Sequence, residues 1–107
     1  MQGASTDAET IETILDAIDS QQTIRFFYGG SERLCDPYVF GLSSTGNPLL
    51  RCYQLKGESV SGKGPGWRVF QCEKIHGIRL EGIFFSPFWA EYDPSNTWIF
   101  DPKRGIR

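Results

Sequence analysis

The stretch TIRFFYGGSERLCDPYVFGL, Thr23 to Leu42, decides the fold class. Thr23 to Tyr28 is a run of β-branched and aromatic residues, a composition that suits a pleated, half-buried strand. Gly29-Gly30 supplies the positive φ angles that a two-residue hairpin turn demands. Ser31 to Leu42 then returns as a second strand, interrupted at Pro37, which has no N–H for an unbroken ladder. A lone hairpin is at best marginally stable in water, so the rest of the chain must cover it.

Upstream, Thr6-Asp-Ala-Glu9 matches a capping box, and Ile11, Ile14, Leu15 and Ile18 recur at helical spacing, which predicts an amphipathic helix over residues 7–19. Downstream, the turn Ser43 to Asn47 leads to a third strand, Leu49 to Leu55. A fourth segment, Trp67 to Leu80, is long enough to bend near His76-Gly77 and continue as a fifth strand. The expectation is a mainly β chain: a small, partly open barrel of about five antiparallel strands behind an N-terminal α-helix. At 107 residues the chain reads as one domain, with a core over about 7–80 and an extension over 81–107. Seven of the fifteen aromatic residues fall between Gly82 and Phe100. That segment is expected to close over the barrel, or else to serve as a contact surface for a homodimer or a regulatory protein partner.

The segment GESVSGKG, residues 57–64, lies one residue away from the phosphate-binding pattern G-x-x-x-x-G-K-[ST]. Position 64 is Gly where a magnesium-binding hydroxyl belongs, and Pro65-Gly66 opens no helix to receive phosphates. The segment therefore reads as a glycine-rich connector, with Lys63 as one extra positive charge beside the fourth strand.

Composition narrows the class further. The sequence contains no run of eighteen apolar residues and no basic-then-apolar leader, so a cytoplasmic protein without a membrane partner is expected. Cys35, Cys52 and Cys72 are odd in number and form no C-x-x-C pair, which suits buried, reduced thiols. His76 is the only histidine, so no zinc site is expected. No G-x-S-x-G elbow activates a serine, and sequence alone does not bring Asp36 and Glu73 together. The expectation is a non-enzyme with no catalytic residue, metal or cofactor. Formal charge is −2, yet residues 1–19 hold five acids and no base, leaving eleven bases against eight acids, a net +3, on residues 20–107. A mildly basic body suits an anionic ligand. Arg25, Arg33, Arg51 and Arg68 come from strands expected to be neighbours, and arginine suits bidentate phosphate contacts. Tyr28, Tyr53 or Trp67 would offer a stacking face for a base.

Tyr28, Pro37 and above all Arg68-Val-Phe-Gln-Cys-Glu-Lys-Ile75 resemble the WYL domain, whose last core strands read approximately R-x-F-x-L-D-R-I. The resemblance covers roughly residues 12–80, and the position of the naming triplet reads Pro48-Leu49-Leu50. It implies an Sm-like barrel of the kind found in bacterial and phage regulators, where such domains sense nucleic acid or nucleotides in transcription regulation and phage defence. Most sit behind a DNA-binding winged helix, so this chain is expected to be a standalone form. The expected function is ligand sensing without catalysis, with a nucleotide or oligonucleotide bound by Arg68, Arg33 and Arg51. Tyr28, Tyr53, Phe70, Gln71, Lys74 and Lys63 complete the expected site.

Overall fold

The expected helix forms as α1, Ala8–Ser20, and turns Ile14, Ala17 and Ile18 into the core. The structure, a computed structural model, describes residues 8–56, 65–87 and 101–105; Thr6 of the capping box, Lys63 and most of the aromatic tail lie outside them. α1 ends where Gln21 adopts the left-handed conformation (φ 56°) and its N–H reaches the Ile18 carbonyl.

β1 (Gln22–Tyr28) and β2 (Ser31–Leu42) pair antiparallel, with Tyr28 opposite Ser31. Gly29 and Gly30 carry φ of 61° and 83° between them, as a type I′ turn requires. β2 is long enough to serve three partners. β3 (Pro48–Lys56) runs along one edge, while the other edge is taken by β1 beside residues 31–35 and by β6 (Asp101–Gly105) beside residues 39–42. β4 (Gly66–Gln71) adds to β3, and β5 (His76–Phe84) adds to the far side of β1. The order is β4-β3-β2-β1-β5, with β6 beside β2.

The segment expected to run from Trp67 to Leu80 and bend at His76 instead breaks at a short 3-10 turn, Cys72–Lys74. The turn lets the chain leave one edge of the sheet and rejoin at the other. Beyond Gln71, therefore, the strand alternation that would align Lys74 with Arg68 no longer holds.

The sheet curls without closing: among the described residues β4 and β5 do not pair. β4 and β1 stand three strand spacings apart, about 14 Å in a flat sheet. Yet the Phe70 ring centroid lies 5.1 Å from that of Phe26 and 4.7 Å from that of Tyr28. Shifts in the β2–β3 register at Leu34/Cys35 and Pro37/Val39 supply the bend, as bulges do. The concave side holds Ile24, Phe26, Leu50 and Phe70 against α1 and Ile75. All three cysteines are free and buried there. Burial pushes the Cys72 thiol up to about 12. It also holds Cys52 well above its ordinary value, with a hydrogen bond to Cys35 adding to the effect.

Candidate functional site

The four sheet arginines divide among three environments. Arg25 sits in a ladder of charges on the convex side of β1, with Nη1 3.1 Å from Glu32 Oε1 and Nη2 3.1 Å from Glu81 Oε1. Arg79 approaches the same two carboxylates at 3.7 Å. The Arg25 hydrogen bond holds the Glu81 carboxyl below the usual carboxylate range.

Arg33 faces the concave side, opposite Phe26, and is 7 % exposed. Its guanidinium donates from Nε to Ser31 Oγ (2.9 Å), from Nη1 to Gln54 Oε1 (3.2 Å) and from Nη2 to the Tyr28 carbonyl (3.1 Å). It also lies 5.6 Å from the Tyr28 ring centroid and 5.7 Å from that of Phe70. The Tyr28 hydroxyl in turn accepts the Gln71 N–H at 3.1 Å. Tyr28, Arg33 and Phe70 thus form an internal cluster that ties the β1–β2 hairpin to β4. Arg33 spends its donors on the fold.

Arg51 and Arg68 meet elsewhere. The β3–β4 ladder runs unshifted from Leu49 opposite Gln71 to Gln54 opposite Gly66. Leu50 and Cys52 point into the core, so Arg51 and Tyr53 point to the convex side with their cross-strand partners Val69 and Trp67. The Arg51 guanidinium lies 4.9 Å from the Trp67 ring centroid, within cation–π range. Tyr38 and Tyr53 fix the indole edge-on, at 4.7 and 5.3 Å. Arg68 leaves β4 on the other side, but β4 has only β3 as a strand partner among the described residues. Its side chain folds back across that edge, and Nη1 donates to the Trp67 carbonyl at 2.9 Å. A Cβ at Gly66 would stand 2.9 Å from Arg68 Nη1, so a side chain there would push the guanidinium aside. Arg51, Trp67, Arg68 and Val69 line one cleft of about 290 Å³. That lies near the lower end of the range for small-molecule sites, about 300–1,000 Å³.

Of the residues expected to bind ligand, the structure therefore brings together Arg51 and Arg68, with Tyr53 supporting Trp67. Arg33, Tyr28 and Phe70 belong to the internal cluster; Gln71 and Lys74 are exposed beyond it, Lys74 in the 3-10 turn. Val69 is the lining residue that sequence reading passes over, although its place two residues after Trp67 on a strand is the signal that finds it. Asp36 is buried and accepts from Thr23 Oγ at 2.6 Å; burial raises its carboxyl and the Thr23 bond partly opposes this. Glu73 lies in the turn beyond β4. Among the described residues no group of three or more His, Cys, Asp or Glu side chains is placed to hold a metal ion. No helix among them is long and apolar enough to cross a membrane. No family model, curated protein or solved structure matches the chain.

Proposed function

We propose that the chain is a non-catalytic ligand-sensing module that binds a nucleotide, or one nucleotide of a short single strand, in the cleft between Arg51 and Arg68. The observation that carries this reading is that Arg51 and Arg68 line one cleft together with Trp67, over whose ring the Arg51 guanidinium lies. Guanidinium forks match phosphate oxygens, and an aromatic face stacks on any base. The two tyrosines that fix Trp67 lower the ordering cost of stacking. The curl of the sheet and the Arg68-x-Phe70 sequence support, as part of the same proposal, an Sm-like barrel of the WYL type with a regulatory role.

Calorimetric titration with mono-, di- and cyclic nucleotides and with short oligonucleotides tests the reading. Saturable binding by at least one of them is expected. Arg68→Ala should weaken it about tenfold or more, the loss that follows removal of one charged contact worth about 1.4–3 kcal/mol. Gly66→Ala, which keeps both charges but displaces the Arg68 guanidinium, should weaken it in the same direction. An oligonucleotide ligand should bind less tightly as salt rises, because phosphate neutralisation releases counterions. No binding by any of these ligands, or affinity unchanged by Arg68→Ala, overturns the proposal.

A further inference from the structure

At the edge of the sheet opposite the cleft, β5 carries an apolar group that the fold leaves in solvent. Phe84 is 66 % exposed and Ile83 54 %, with Leu80, and Phe27 of the neighbouring β1, also more than a third exposed. Among the described residues β5 pairs only with β1, and none of them pairs with its outer edge. Open edges are commonly protected by proline, by charged side chains, by β-bulges or by a covering element; β5 has register shifts against β1 between His76 and Arg79 and between Leu80 and Phe84, which leave Arg79-Leu80 as its regular centre. β5 reads His76-Gly-Ile-Arg-Leu-Glu-Gly-Ile-Phe84 and contains no proline or lysine. Its two central charges are Arg79 and Glu81, of opposite sign, flanking Leu80.

We propose that this edge pairs with the same edge of a second copy of the chain, antiparallel about a two-fold axis at Leu80. In that register Leu80 meets Leu80 of the second copy, and Arg79 and Glu81 each meet the other's counterpart. Both charge contacts are attractive. Moving the axis to Arg79 would set arginine opposite arginine, and moving it to Glu81 would set glutamate opposite glutamate; like charges directly opposite destabilise a ladder. The charge pattern therefore selects a single register for self-pairing, and an isologous interface needs that self-complementarity. Arg79 is 58 % exposed and held to Glu32 and Glu81 only at 3.7 Å, so its guanidinium is loosely tied within its own chain, whereas Glu81 is 16 % exposed, already accepts from Arg25 at 3.1 Å and would share its carboxylate between Arg25 and the incoming Arg79. Joining the edges also extends the convex charge ladder of Arg25, Glu32, Arg79 and Glu81 across the axis. In this register Leu80 supplies the apolar contact on the axis, while Ile83 and Phe84 lie opposite Gly77 and His76 of the second copy.

Sedimentation equilibrium over a wide concentration range tests this. The wild-type chain should show a monomer–dimer equilibrium. Arg79→Glu puts carboxylates against carboxylates at both contacts, Glu81→Arg puts guanidiniums against guanidiniums, and each should raise the dimer dissociation constant about tenfold or more. An equimolar mixture of R79E and E81R restores attraction at both contacts and should give a heterodimer at least as tight as the wild type. Circular dichroism checks that each variant folds. Should E81R fail to fold, the exposed Arg79 decides alone: dimer affinity unchanged in a folded R79E protein overturns the proposal. A wild-type chain that stays monomeric at every concentration, or folded variants whose mixture stays monomeric, overturns it equally. Nucleotide affinity of R79E should match the wild type, since the cleft lies on the β3–β4 side, so failure of the interface and failure of the binding site are read separately.

Discussion

Arg33→Met tests whether Arg33 serves the fold rather than the proposed cleft. Methionine keeps the apolar stem and approximate length but removes three hydrogen bonds, at 2.9, 3.1 and 3.2 Å. The Gln54 side chain is fully buried, so its amide oxygen loses this donor where water does not reach, at a cost of about 1–3 kcal/mol. The Tyr28 carbonyl and Ser31 hydroxyl border the exposed Gly29-Gly30 turn, where water replaces the lost donor, and they add less. Loss of the cation over the Tyr28 and Phe70 rings contributes about 0.5–1 kcal/mol. The total comes to about 3 kcal/mol. At about 4–8 °C per kcal/mol for a domain near this size, Tm should fall by about 12–24 °C. Chemical denaturation followed by tryptophan fluorescence measures the free energy directly. Arg33→Met/Gln54→Leu, which removes donor and acceptor together, should recover at least about 1 kcal/mol relative to the sum of the single changes. A single variant within about 1 kcal/mol of the wild type would refute the assignment of Arg33 to the interior, and so would strict additivity with Gln54→Leu.

Two further outcomes follow from buried groups. Burial raises the Asp36 carboxyl above its unfolded value, so the folded chain binds that proton more tightly than the unfolded chain does. The associated stability is present below the unfolded value of about 4 and is lost as pH rises through the folded one. Asp36→Asn keeps an acceptor for Thr23 and never ionises, so its Tm should exceed that of the wild type at pH 7, with the gap shrinking towards pH 4. A variant less stable than the wild type at pH 7 but not at pH 4 would reverse the sign and reveal a favourable charge on Asp36. The three thiols are buried, with Cys72 pushed up to about 12, so a chromogenic disulfide reagent at pH 8 should label none of them in the folded protein and all three after denaturation. Rapid labelling of the native chain would contradict that burial.

How far the sequence can be read depends on where the ladder is regular. The β1–β2 hairpin and α1 are legible because local chemistry and tertiary structure agree there: a Gly-Gly turn with positive φ at both positions, and apolar residues at helical spacing. β6 is not legible. Asp-Pro-Lys-Arg-Gly has no strand-forming residue, and it pairs because β2 outruns β1 and leaves residues 39–42 an open edge, which no local signal reports. Nor does the Trp67–Ile75 stretch contain a glycine or proline to mark the break at Cys72–Lys74.

The same distinction governs the arginines. Assigning Arg33 and Arg51 to a common face requires counting alternation along β2 from Arg33 to Val39, which lies opposite Arg51, and the shift at Pro37/Val39, where Tyr38 is the extra residue, intervenes in that count. Each inserted residue reverses the parity of every side chain beyond it. Between β3 and β4 no shift intervenes, so alternation correctly sets Arg51 and Tyr53 beside Trp67 and Val69. Arg68 is the exception within this regular region: parity puts it on the concave side, opposite Cys52, yet it lines the same cleft as Arg51, Trp67 and Val69. A side chain with four flexible torsions on a strand at the sheet's edge is not confined to the face its Cβ selects, provided the neighbouring backbone lets it cross. Gly66 grants that passage, and the residue that looks like the end of a flexible connector therefore determines where the second charge of the cleft stands.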